Sequence, residues 1–182
     1  MPIDDSWSRD AGPCFLVHPD GGRLGVDFQF NAWGGKYSPY DHDNAFAAAV
    51  IAKAGVPRSA SRLTAEGGGI STDGQGTILT TLSCFPNRNR NPDWTLQEIE
   101  RELMDQLGAD KVVWLPGDEE EVETDGHVDG IAVFAAPGLV LATTARTRWP
   151  RPATRGAVSS GFWRCRTRSR LTTGGSASAP AT

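Results

Sequence analysis

The segment Thr124–Asp129 (TDGHVD) contains His127, the histidine of this chain with the clearest potential for chemistry. It stands among carboxylates at the entry of an apolar stretch that is predicted to be a strand. Because alternate residues of a strand share a face, His127 and Asp129 can contact one ligand, and such a pair suits proton transfer near neutral pH. Two other interpretations stay open: a histidine held at a turn by a neighbouring acid, or a metal site that includes Asp125 or Asp129.

Two further segments, Trp7–Pro13 (WSRDAGP) and Glu66–Gly69 (EGGG), carry carboxylates beside unusual neighbours. Trp7 offers an aromatic wall close to Asp10, and three consecutive glycines permit positive φ or a close approach of the backbone to a ligand. On their own, Arg9 and Asp10 more often form a structural ion pair than a ligand site, and the three glycines fit a flexible loop equally well. Together, an anionic site flanked by tryptophan suits a planar, delocalised cation such as a guanidinium.

These three segments occupy the same place in a repeated pattern of predicted elements. Each precedes the first strand of a β-hairpin, and the hairpin turns are marked by glycines 53 and 64 residues apart, namely Gly21, Gly74 and Gly138. Such a period indicates an array of supersecondary units, here of hairpin, helix and strand. If the units surround an axis, Asp10, Glu66, His127 and Asp129 converge on one site.

Turn, capping and alternation signals predict the elements of each unit. The first unit has two strands and a helix capped by Asp43 or Asn44: Cys14–Val17, Leu24–Phe30 and 43–54, with Gly55 as the helix end. The second unit has a hairpin, a helix with an apolar stripe and a buried strand: 70–82, the Thr95-capped helix with Leu96, Ile99, Leu103 and Leu107, and Lys111–Leu115. The third is a hairpin of 131–135 and 139–142.

Charge divides the chain into a body and a tail. Its net charge is −4, yet all 22 acidic residues lie at or before Asp129, and residues 143–182 carry eight arginines and no lysine. The composition predicts a body over 1–142 and a disordered or out-of-frame tail rich in Arg, Ser, Thr, Ala and Pro over 143–182. A nucleic-acid arm is the disfavoured alternative for this tail.

The three cysteines, Cys14, Cys84 and Cys165, are too few and too scattered for a disulfide framework or a CxxC zinc site. His18 and His42 fall in other loops, which disfavours a metal site at His127. The polar N-terminus lacks a secretory signal, and the longest apolar run is too short for a membrane span. We therefore expect a cytoplasmic protein that does not contact membranes, with homo-oligomerisation left open.

The body resembles agmatine deiminase, of the wider peptidyl-arginine deiminase and guanidine-modifying group. The resemblance rests on stretches in family order across about residues 4–142: Asp5-x-Trp7-x-Arg9-Asp10-x-Gly12-Pro13, 30–37 (FNAWGGKY), 66–68 (EGG), 73–77 (DGQGT), 87–92 (NRNRNP), 114–117 (WLPG) and 124–129. It implies a five-unit α/β propeller of the pentein type, of which this chain is part, and hydrolysis of agmatine to N-carbamoylputrescine and ammonia in polyamine metabolism.

The same resemblance implies the roles of the site residues. Asp10 and Asp129 bind the guanidinium, and Trp7 lines the substrate site. His127 is the general acid/base, and Glu66 orients both His127 and the substrate. A cysteine thiolate attacks the guanidinium carbon in this family, and no metal or organic cofactor is required.

One family feature has no counterpart here. The family nucleophile stands in a late Gly-Gly-x-Asn-Ile-His-Cys type segment, whereas Cys165 stands in the unrelated segment 162–166 (FWRCR). Cys84 matches a structural position, and Cys14 is predicted to be buried in the first strand. We therefore expect a chain truncated at both ends, with little or no turnover. The alternative is a catalytically inactive fragment that still binds guanidino or other cationic ligands.

Overall fold

The structure is a computed structural model, and it describes residues 1–118 and 120–143 together with the backbone of 162–164. Its first unit is a three-stranded sheet in which β1 pairs antiparallel with β2, and β2 pairs parallel with β3. In chain order the elements are α1 (Ser8–Ala11), β1 (Cys14–Val17), β2 (Arg23–Gln29), α2 (Ala32–Gly35), α3 (Asp41–Asn44), α4 (Phe46–Ala54) and β3 (Arg58–Thr64).

The second unit repeats this order. A 3-10 turn, Gly67–Gly69, leads into the antiparallel hairpin of β4 and β5, and the strand after the helix pairs parallel with β5. The elements are β4 (Ser71–Thr72), β5 (Thr77–Thr81), α5 (Leu96–Leu107) and β6 (Lys111–Leu115). The parallel return strand after a helix makes each of the two units a hairpin-helix-strand repeat.

The third unit begins with another 3-10 turn, Val128–Gly130. The strands that follow are antiparallel: β7 (Ala132–Ala136), β8 (Leu139–Ala142) and β9 (Phe162–Arg164). The predicted turn glycines are confirmed, because Gly21, Gly74 and Gly138 all have positive φ. The fold is therefore mixed α/β with three small sheets. The expectations for the arginine-rich tail and Cys165 fall on residues outside the described part.

The apolar core lies between the first two sheets and α5. Its buried side chains come from both units and include Val26, Phe28, Leu63, Ile78, Phe85, Ile99 and Leu103. A second cluster, formed by Leu79, Leu115, Val128, Ile131, Ala132 and Val140, joins the second unit to the third. Within the described residues no helix could span a membrane.

Several sequence predictions need correction. The helix predicted over 43–54 is broken at Ala45. Asp43 accepts hydrogen bonds from the backbone N–H groups of Asp4 and Asp5, and Asn44 Oδ1 accepts from the backbone N–H of Phe30, just after β2. Neither residue caps α4. Leu96, predicted in the apolar stripe, is 41% exposed, and the strand Lys111–Leu115 is mostly half-buried. The strand β3 was missed altogether.

The start of α5 follows the local prediction closely. Thr95 Oγ1 accepts from the backbone N–H of Glu98, and Glu98 accepts from the backbone N–H of Thr95. We expect Thr95→Ala to lower the free energy of unfolding by about 1 kcal/mol, because the helix then loses its cap. Urea titration followed by far-UV circular dichroism measures this. Thr95→Ser, which keeps the hydroxyl, serves as control; an equal loss in both variants would contradict the prediction.

Candidate functional site

A pocket of about 570 Å³ lies between the segments that precede β1 and β7 and the segment that follows β2. Acidic and aromatic side chains dominate its wall: Asp5, Asp10, Glu123, Asp129, Trp7, Trp33 and Tyr37, together with Arg9, Thr124 and His127. Trp7 is 61% exposed and forms an open aromatic side of the pocket. The combination of excess negative charge and aromatic rings is suited to a cationic ligand.

Gly68 marks the point where the three units converge. A Cβ atom there would lie 2.5 Å from His127 Nδ1, 2.7 Å from Asp10 Oδ1 and 2.9 Å from Asp129 Oδ2. Its backbone N–H donates to Asp10 Oδ1 over 2.8 Å. Position 68 is therefore suited to glycine, because three site side chains approach its backbone. The structure thus brings together the four residues that the repeat pattern placed in one site.

His127 lies between carboxylates that are distant in sequence. Its imidazole is 5% exposed, with Nδ1 3.9 Å from Asp10 Oδ1 and Nε2 3.5 Å from Glu66 Oε2. The residue precedes the 3-10 turn Val128–Gly130, and its backbone N–H donates to Thr124 Oγ1. The prediction that it shares a strand face with Asp129 is wrong. A turn, rather than a strand, brings both side chains to Gly68.

Asp10 is held at both carboxylate oxygens. Oδ1 accepts from Gly68 N–H, and Oδ2 accepts from Trp33 Nε1 over 3.0 Å. Trp33 is buried at a φ of 55°, which is uncommon for a residue with a side chain. This tryptophan was not predicted as a site residue, although it lies in the quoted segment 30–37.

Glu66 is fully buried against Arg90, a residue that the sequence did not single out. Arg90 Nε donates to both Glu66 oxygens over 2.7 and 3.1 Å, and its Nη1 reaches Asp125 Oδ2 at 2.5 Å. Burial acts to raise the pKa of Glu66, but the adjacent His127 imidazole and the Arg90 charge outweigh it, so this pKa is lowered. Glu66 is therefore ionised at neutral pH. Asp125 belongs to this ion-pair network rather than to the wall of the pocket.

Asp129 has the opposite electrostatic character. Burial raises its pKa, the charge of His127 lowers it, and the neighbouring Asp10 charge raises it again, with a net upward shift. The carboxylates of Asp10 and Asp129 repel each other at the end of the pocket, and a cation that binds between them offsets this repulsion. The site thus favours a positively charged group beside Gly68.

The described cysteines lie away from the pocket wall. Cys84 is buried, and its thiol donates to Glu66 Oε2 over 3.7 Å; Cys14 is half-buried in β1 rather than fully buried as expected. Neither of these two residues lines the pocket.

The loop that carries His127 is folded around Glu121. That carboxylate accepts from the Thr124 hydroxyl and from the backbone N–H groups of Glu123, Thr124 and Gly126. Burial opposes ionisation, but these hydrogen bonds hold its pKa at about 2, below the ordinary 4.5.

Because this pKa is depressed, Glu121 stabilises the folded chain above pH 4.5, and we expect the contribution to disappear as the pH falls towards 2. Thermal melts at pH 7, 4.5 and 3 should show a smaller acid-induced loss in Glu121→Gln than in the unsubstituted chain. The exposed Glu120→Gln is the control. The same acid dependence in both variants would contradict this role for Glu121.

The chain is similar to known proteins over the residues that line this pocket. The family of Porphyromonas-type peptidyl-arginine deiminases matches residues 1–155. An agmatine deiminase of Pseudomonas putida is 45% identical over 143 residues, covering 76% of this chain and 39% of the relative. That of Pseudomonas syringae pv. tomato is 43% identical over 146 residues, covering 78% and 40%. The solved agmatine deiminase of Enterococcus faecalis has a TM-score of 0.75 and 41% identity, over 78% of this chain and 40% of that one.

The family match covers β1 to β8 and all the residues that line the pocket. The chain spans about two fifths of the length of the relatives that it matches. With the family match extending from residue 1 to residue 155, the chain belongs to the Porphyromonas-type peptidyl-arginine deiminase family.

Proposed function

We propose that this chain carries the guanidinium-binding and proton-transfer part of an agmatine deiminase, a cytoplasmic hydrolase of polyamine metabolism. The reaction converts agmatine and water to N-carbamoylputrescine and ammonia. The observation that supports it best is the meeting of Asp10, Asp129 and His127 at Gly68, with Glu66 behind the imidazole. Residues 1–142 would then be part of a catalytic domain, and the three units would be part of a pentein-type propeller around the pocket.

Each site residue has a role in this proposal. Asp10 and Asp129 bind the guanidinium, and Trp7 lines the substrate. A cysteine thiolate adds to the guanidinium carbon, the C–N bond to the leaving nitrogen breaks, and His127 delivers the proton with which it departs as ammonia. His127 then takes a proton from water as the water adds to the same carbon and releases the thiolate. Glu66 keeps the imidazole oriented between these steps.

The mouth of the pocket supports a substrate with a second cationic end. Asp5 and Glu123 line it, and the Tyr37 hydroxyl donates to Glu123 Oε2 over 2.7 Å. An ammonium group is attracted by these carboxylates, whereas the α-carboxylate of arginine is repelled. This favours agmatine over arginine.

Isothermal titration of the chain with agmatine, arginine and putrescine tests the binding part. We expect agmatine to bind most tightly, since arginine adds a repelled carboxylate and putrescine lacks the guanidinium. Asp10→Asn should weaken agmatine binding, and Asp105→Asn, on the exposed side of α5, should not. Equal affinities of the two variants would overturn the site assignment.

Turnover is a separate measurement. Little or no ammonia and ureido product should form when the 182-residue chain is incubated with agmatine, because neither Cys14 nor Cys84 lines the pocket and Cys165 does not stand in a segment of the family's nucleophile type. Binding without turnover fits the proposed role. Turnover that survives substitution of all three cysteines would show that the thiolate mechanism is wrong.

A further inference from the structure

Behind His127, three potential metal ligands of different chemistry face one another. Glu66, Cys84 and His127 each offer one atom, and these atoms all lie within 4.8 Å of one another. His127 Nε2 is 3.5 Å from Glu66 Oε2, and Cys84 Sγ is 3.7 Å from the same oxygen. All three residues are buried. In the proposed reaction Cys84 has no part.

His127 Nε2 gives an independent indication of a ligand. It is buried, and within the part of the chain that the structure describes it makes no hydrogen bond, although Glu66 Oε2 faces it at 3.5 Å. Buried polar atoms are rarely left in this state, and each one needs an explanation. The other ring nitrogen, Nδ1, lies on the side of Asp10, where a carboxylate can stabilise its N–H. Nε2 lies on the opposite side of the ring and faces Glu66 and Cys84.

The distances fit a small cation of tetrahedral preference. Zinc binds imidazole nitrogen and carboxylate oxygen at about 2.0–2.2 Å and thiolate sulfur at about 2.3 Å. At tetrahedral angles such ligand atoms are roughly 3.3–3.7 Å apart. The nitrogen–oxygen and oxygen–sulfur separations therefore need little adjustment, and the nitrogen–sulfur separation, which is within 4.8 Å, needs at most a shift of about 1 Å. A sulfur and a nitrogen ligand select zinc, cadmium or cobalt over magnesium or calcium.

We propose that Glu66, Cys84 and His127 form a binding site for a thiophilic divalent cation of the zinc type. On binding, Cys84 loses its thiol proton to solvent, and bonds form from the metal to Sγ, Nε2 and Oε2. The Arg90 guanidinium, 3.1 Å from Oε2, opposes the incoming charge, but the new thiolate offsets it. If the proposed function holds, metal at Nε2 and proton transfer by His127 exclude each other.

Titration with Co²⁺ tests the site, because thiolate coordination gives a charge-transfer absorption that other ligands do not. We expect one equivalent to bind, with displacement by Zn²⁺ and no change on adding Mg²⁺. Because one proton is released, the apparent affinity should rise about tenfold per pH unit while the thiol is protonated. These readouts do not depend on agmatine binding, so the site and the proposed function can fail separately.

Variants identify the thiol that is used. The absorption should persist in the double variant Cys14→Ser/Cys165→Ser, which retains Cys84, and disappear in Cys84→Ser. His127→Gln should keep the fold, measured by circular dichroism, and weaken Co²⁺ binding at least about tenfold, as for the loss of one ligand. Absorption that persists in Cys84→Ser, or that is absent from the folded unsubstituted chain, would overturn the proposal.

Discussion

Substitution of Arg90 by Met is expected to lower the free energy of unfolding by roughly 3–5 kcal/mol. Arg90 is 4% exposed, and its guanidinium donates to the fully buried Glu66 and to Asp125. Removing one partner of a buried pair leaves the other charge without compensation, and this costs more than the pair itself contributes. Urea unfolding at pH 7 measures the loss.

A matched control lies in the same loop. Arg88 is exposed, and we expect Arg88→Met to change the unfolding free energy by less than about 0.5 kcal/mol. Adding Glu66→Gln to Arg90→Met should recover part of the loss, because the stranded charge is removed. A small effect of Arg90→Met, similar to that of Arg88→Met, would mean that the buried network is not held together in solution.

Gly68→Ala is expected to weaken agmatine binding roughly 5- to 150-fold, because inserting a methyl group into a packed site costs about 1–3 kcal/mol. The added Cβ would meet His127, Asp10 and Asp129 at distances below 3.0 Å, and all three belong to the site. These side chains come from two different loops, so they cannot move away together and keep their geometry. Isothermal titration with agmatine gives the affinity, and circular dichroism confirms that the chain is folded.

Gly130→Ala is the control for this substitution. Among the described residues, a Cβ at Gly130 meets no atom within 4 Å, and the φ of Gly130 lies outside the positive range. We expect agmatine binding to stay within about twofold of the unsubstituted chain, since a surface change of this size has little effect on its surroundings. If Gly68→Ala binds agmatine as well as Gly130→Ala does, the convergence at Gly68 is not the binding site.

The parts of the fold predicted from sequence are those with local causes. The capping box at Thr95 and the left-handed glycines that end α4 and α5 depend on neighbours within a few residues. The same holds for the three hairpin turns. Because a polar segment precedes the first strand of each hairpin, the sequence was enough to predict that Asp10, Glu66, His127 and Asp129 meet.

The missed strand has a non-local cause. β3 contains few apolar residues, because Ser59 and Ser61 bind polar side chains of α5: Ser59 Oγ donates to Gln106 Oε1 and Ser61 Oγ to Glu102 Oε1, over 2.7 and 2.6 Å. Its inward face is therefore partly polar, so the usual alternation of apolar residues is absent. Only the position of the helix reveals why these serines lie in a sheet.

The sequence by itself determined the repeated units, the family resemblance and the four residues that line up across the repeats. The tertiary structure decided how those residues are held. Trp33 donates to Asp10, Arg90 donates to Glu66 and Asp125, and Gly68 lies where the site side chains meet. In sequence, Arg90 lies 24 residues from Glu66 and 35 residues from Asp125, so no local pattern could reveal these ion pairs. A buried charge is stable only beside its partner, and that partner is chosen by the packing of the units against one another.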